Sequence, residues 1–122
     1  MTPKKILAIV CCYYGLRSIK QLAGSAWPVW RYDVYEEARE MVCWMLQRHC
    51  DLSVEDLQVT VKELQLQWSG LAIRMAAAQA RRKIGSGDFA FRLGVHGVEQ
   101  LLMLELGRCQ KCSNAPAKRS RK

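Results

Sequence analysis

The chain has no run of about 20 apolar residues, no internal repeat and no sustained alternation of apolar and polar residues. The first absence argues against a transmembrane helix, the second against a solenoid and the third against a β-rich fold. Residues 6–14, ILAIVCCYY, follow Lys4 and Lys5 somewhat as a signal peptide would. The apolar run is short, breaks at Gly15-Leu16-Arg17 and offers no small-residue cleavage site. A cytoplasmic protein with no membrane contact is the expectation.

Histidine is scarce as well, with two in the chain. Catalysis needs convergent groups in a pocket. His49 stands beside Cys50, but neighbours on a helix point about 100° apart and do not face each other. His96 lies between glycines in LGVHGV, a loop-like setting. The acids cluster at 33–40, where helix capping and solvation account for them. No enzyme and no cofactor is expected. A structural zinc site needs four ligands, usually two C-x-x-C-type pairs. Here there is one such pair, Cys109 and Cys112, and Cys43, His49 and Cys50 would have to complete it through the tertiary fold. No metal site is expected, with Cys109 and Cys112 the only candidates. The six cysteines should be mostly reduced.

Acids are missing from three whole segments. Residues 1–32 hold five cations and no acid, residues 64–87 four and none, residues 107–122 six and none. The acids gather in residues 33–63, eight against three cations. A net charge of +8 segregated in this way points to a polyanionic partner. Much of it sits in a basic tail, residues 109–122, too poor in large apolar residues to fold alone. Residues 1–108 form the single expected domain.

What is present reads as helix throughout. PKKILAIVCCYY starts with Pro3 at a first-turn position and stops at Gly15. SIKQLAG follows, with Ser18 as cap and Gly24 as stop. Pro28 breaks the connector SAWPVWRY. The long helix of residues 33–49 opens on Asp33, with Glu36 three residues on as in a capping box. Its apolar face is Val34, Ala38, Met41, Val42, Met45 and Leu46. The next helix begins at Ser53, with Asp56 three residues later. GSGDFAFRLGVHG is a glycine-rich break, and VEQLLMLELG is one more amphipathic helix.

The remaining stretch, SGLAIRMAAAQARRKIG, begins at Ser69 and ends at Gly85. At about 100° per residue, Ile73, Ala76, Ala80 and Ile84 share one face. Arg74, Ala78, Arg81 and Arg82 share another. Arginine donates two parallel hydrogen bonds to phosphate or to a guanine edge, and alanine keeps the helix slim enough to enter a groove. With the helix before it, this stretch is shaped like the second half of a helix-turn-helix. Ser69, Arg74, Arg81, Arg82 and Lys83 are the candidate DNA contacts. Lys118, Arg119, Arg121 and Lys122 would add non-specific affinity.

The first half of the chain resembles the C-terminal DNA-binding domain of the bacterial replication initiator DnaA. The likeness rests on an apolar helix ending in Tyr13-Tyr14, the short segment Ile19 to Leu22, and a connector leading to a long helix with Ala38-Arg39. A Leu52-Ser53 turn then opens the next helix. Further on, ARRKI (residues 80–84) resembles the end of that family's recognition helix. The recognition motif itself, Gly-Arg-Asp-His-Thr-Thr, is replaced by Gln67-Trp68-Ser69-Gly70-Leu71-Ala72. No G-x-x-x-x-G-K-[ST] is present to bind nucleotide. The family's basic connector keeps one cation, Arg31. The resemblance implies a small all-α helix-turn-helix bundle. It implies a stand-alone double-stranded DNA-binding protein, of phage, plasmid or chromosomal origin, acting in replication or transcription control without an ATPase. The alternative is a domain of that fold turned protein adaptor, with Trp27, Trp30 and Trp68 in its connectors as the suspected surface.

Overall fold

The structure, a computed structural model, describes residues 2–24 and 27–119, with side chains as far as Leu106. Those residues form an all-helical bundle, and no strand occurs among them. In order come α1 (Pro3–Tyr13), α2 (Ile19–Ala23), a 3₁₀ turn (Val29–Arg31), α3 (Tyr32–Cys50), α4 (Val54–Glu63), α5 (Gly70–Ser86) and α6 (Phe89–Arg119). The helix α3 is the hub, touching α1, α2, α4, α5, α6 and the 3₁₀ turn. Its Tyr35, Ala38, Met41, Val42, Cys43, Met45 and Leu46 are buried, joined by Ile6, Leu7 and Val10 from α1, Leu57 and Val61 from α4 and Phe91 from α6.

Several helix ends follow from single side chains. Thr2 Oγ1 accepts from Lys5 N, and Pro3 occupies the first turn. Ser53 Oγ accepts from Asp56 N at 3.1 Å, and Ser69 Oγ from Ala72 N at 3.0 Å. Asp88 Oδ1 accepts from Phe91 N and starts α6. Two expected caps are not made. Ser18 makes no side-chain cap bond; Gln21 Oε1 accepts from Arg17 N instead. Asp33 lies inside the first turn of α3, because the 3₁₀ turn runs straight into a helix starting at Tyr32. α5 continues past Gly85 and closes at Gly87, whose φ of +79° is the left-handed conformation that glycine adopts without strain.

The glycine-rich break is the largest departure from the pattern reading. Residues 89–97 are helical, and α6 carries Gly94 and Gly97 in its interior. Gly97 packs against Tyr13 at the end of α1, and Gly94 against Met41 of α3 and Tyr14. A Cβ at Gly97 would stand 2.5 Å from Tyr13 Cε1, and one at Gly94 3.0 Å from Met41 Cε. Glycine here gives up helix propensity for close approach. Gly97→Ala is therefore expected to lower stability by about 1–2 kcal/mol, although alanine is the better helix former. Gly85→Ala, a helical site with open space around it, should be neutral or stabilising. Chemical denaturation of the two variants checks the contrast.

The backbone of α6 stays helical to Arg119, across the stretch whose composition predicts an unfolded tail. A helix nucleated by packing adds residues cheaply, since the costly first turn already exists. The side chains of Cys109, Cys112, Lys118 and Arg119, and all of Arg121 and Lys122, lie outside the described residues. Among the described residues, no helix is long and apolar enough to cross a membrane.

Candidate nucleic-acid interface

Two helices and the connector between them shape the surface around α5. α4 ends at Glu63, Gln65 takes a left-handed conformation at φ 63°, and α5 begins at Gly70. The connector is tied down at two points. Gln67 N donates to Ala23 O at 2.9 Å, and Trp68 Nε1 to Leu22 O at 3.0 Å. α2 thus buttresses the entry to α5, and Trp68 is buried.

Helical spacing then sorts α5. Ile73, Ala76, Ala77 and Ala80 are buried, and Ile84 packs against them. Leu71, Arg74, Met75, Ala78, Arg81, Arg82 and Gly85 are exposed. Among the described residues, no carboxylate pairs with Arg74 or Arg81. Arg82 is held by its own helix, donating from Nη2 to Gln79 Oε1. The outward face therefore presents arginines without acids, interleaved with Leu71 and Met75, which are more than half exposed.

Three of the candidate contacts differ from the simple helical plot. Lys83 points inward and gives its ammonium to Glu40 Oε1 at 2.7 Å. Glu40 is 4 % exposed. Burial works against the charged amine. The hydrogen bond and charge of Glu40, with Glu37 and Asp88 adding to them, outweigh it and hold the Lys83 ammonium above its ordinary pKa. A lysine pKa raised by folding stabilises at all pH values below the ordinary one and ceases to do so only as pH climbs through the raised one. The pair is therefore closed at neutral pH, and Lys83 is a strut between α3 and α5 and not a free contact. Ser69 spends its acceptor on the cap. Arg31 is half-buried, its guanidinium 5.6 Å from the Trp30 ring and 5.8 Å from the Tyr35 ring.

The tryptophans divide. Trp27 and Trp68 cover the core, whereas Trp30 is 82 % exposed beside Val29 at 91 %. The thiols of Cys11 and Cys43 are buried; desolvation pushes them up to about 11 and about 12, so both stay protonated. Among the described residues, no group of three histidine, cysteine or acidic side chains is placed to hold a metal ion. His49 does not address Cys50; its Nε2 lies 3.3 Å from Glu99 Oε2, which Arg48 also holds.

No known protein family, no curated protein and no solved structure matches this chain.

Three contacts lie beyond the helical pattern: Tyr14 Oη donating to Glu37 Oε2 at 2.7 Å, Arg39 among tryptophans, and the choice of Glu40 as the partner of Lys83. For Lys83 a signal existed. It lies seven residues, close to two turns, after the buried Ala76, on the edge of the inward face.

Proposed function

We propose that the chain is a stand-alone double-stranded DNA-binding protein acting in replication or transcription control, with α4 and α5 as a helix-turn-helix of the DnaA C-terminal type. The observation that carries this reading is the exposed face of α5, where Arg74 and Arg81 have no acidic partner among the described residues. A helix with such a face suits the major groove. Leu71 and Met75 would supply apolar contact with base edges such as the thymine methyl. The family's own target sequence is not part of the proposal, because its recognition motif is replaced.

The adaptor reading keeps one specific observation, the exposure of Trp30 and Val29. Exposed tryptophan is typical of protein interfaces. Passing fragmented genomic DNA over the purified protein, with bound proteins read in parallel, separates the two. Enriched duplex fragments support the first. A stoichiometric protein partner without DNA enrichment supports the second.

The basic tail yields a separate expectation. Truncation after Cys112 removes Lys118, Arg119, Arg121 and Lys122. Affinity should fall alike on all duplex sequences, and the salt slope should shrink by up to about 0.9 for each phosphate that the tail neutralises. The melting temperature should stay nearly constant. A sequence-dependent loss, or a large fall in melting temperature, would contradict it.

A further inference from the structure

Arg39 occupies an unusual position. Its guanidinium lies 4.5 Å from the Trp27 ring centre and 5.9 Å from that of Trp68. Of the carboxylates near it on α3, Glu37 is committed to Tyr14 and Glu40 to Lys83, and Glu36 forms no ion pair with it among the described residues. Among the described residues, none accepts a hydrogen bond from Arg39. Its Nε is buried without an acceptor, and so is Trp27 Nε1. Buried donors are normally satisfied, and an orphan calls for an explanation.

Both orphans belong to residues lining one open cavity of about 230 Å³, together with Tyr32, Trp68 and Ser69. A second groove of about 300 Å³ adjoins it, sharing Tyr32, Arg39, Ser69 and Ala72 and lined also by Glu36 and by Glu40, whose carboxylate is held by Lys83. Trp44 Nε1, the third orphaned donor, is on a residue that lines neither. A guanidinium stacked on an indole keeps its terminal in-plane donors available even where, as here, Nε is buried, and these suit a carboxylate or phosphate. Aromatic walls suit a flat ring.

We propose that this cleft, between the start of α3 and the start of α5, binds an acid that joins a flat aromatic ring to a carboxylate or phosphate, the oxyanion taken by Arg39 and the ring lying against the open side of the packed pair Trp27 and Tyr32, beside Trp68. The cleft shares Ser69, and its adjoining groove Leu71 and Met75, with the proposed DNA-facing surface; the proposal does not need the DNA-binding reading, and its test contains no duplex.

The four tryptophans give four indole N–H resonances. Two probes present the required chemistry from different sources: benzoate, a free acid, and thymidine monophosphate, a nucleotide. Saturable shifts of the Trp27 and Trp68 resonances with at least one probe, at millimolar concentration or below, are the expected result. Trp30 and Trp44 should stay in place. The tighter probe identifies the source. Arg39→Gln should weaken binding about tenfold or more, and Arg39→Lys, which keeps the charge and loses the fork, by less. If Arg39→Gln melts too early to be read, Arg39→Lys decides: affinity equal to the unaltered protein overturns the proposal. No saturable shift, or an unchanged affinity in Arg39→Gln, also overturns it. So does benzamidine moving the same resonances as strongly, since Glu36 and not Arg39 would then select the ligand. Inorganic phosphate matching both probes would show that the ring contributes nothing, which overturns the assignment of an aromatic ligand.

Discussion

Charge reversal at two positions of α5, Arg74→Glu with Arg81→Glu, is expected to abolish binding to duplex DNA while leaving the fold intact. The two residues lie seven apart, close to two helical turns, so they project from the same face. Both are exposed, and neither has an acidic partner among the described residues. Nothing in the core depends on them, and surface substitutions of this kind move stability by about 0.5 kcal/mol or less. Removing each arginine should cost about 1–3 kcal/mol of binding where it reads a base, and less, equally for all sequences, where it touches only phosphate. Reversal adds repulsion to that loss. Salt titrations of both proteins on random duplex DNA, beside melting curves, give the test. Equal weak binding by the two would reduce the arginine face to solvated charge and move the adaptor reading ahead. Ile73→Asp serves as the opposite-face control. Ile73 is 2 % exposed, so the substitution buries a carboxylate without a partner and should unfold the domain.

Lys83→Met should destabilise the protein by roughly 3 kcal/mol, a loss that its position in a basic cluster would not suggest. The cause is the partner. Glu40 is 4 % exposed and would be left as a buried charge with no counterion. Glu40→Leu should cost less, because the Lys83 side chain is 29 % exposed and its ammonium can reach water. The double variant, Glu40→Leu with Lys83→Met, should recover most of the stability. Denaturant curves of the two single variants and the double variant form the cycle. Strict additivity would mean that the 2.7 Å contact contributes nothing.

The sequence by itself determined the helices and their inner faces, because helical period and capping act over three or four residues. Ser53 and Ser69 cap where their spacing from the next apolar face says they should. The split of α5 into Ile73, Ala76 and Ala80 inside and Arg74, Ala78 and Arg81 outside was legible for the same reason. What tertiary structure alone decided depends on neighbours distant in sequence. Gly94 and Gly97 read as a loop because glycine disfavours helix, yet the rings of α1 and the Met41 side chain of α3 need the space a Cβ would fill. Lys83 stands at the edge of the inward face among four cations, and a carboxylate 43 residues away in sequence is what draws its ammonium in. Ser18 loses its capping role to a glutamine that reaches back. Arg39 stands in the sequence only as half of the Ala38-Arg39 pair, and only the return of Trp27 and Trp68 over α3 makes it a stacked, unneutralised cation. Local propensity fixes where helices form; the side chains at their edges are assigned by whichever partner the packing delivers.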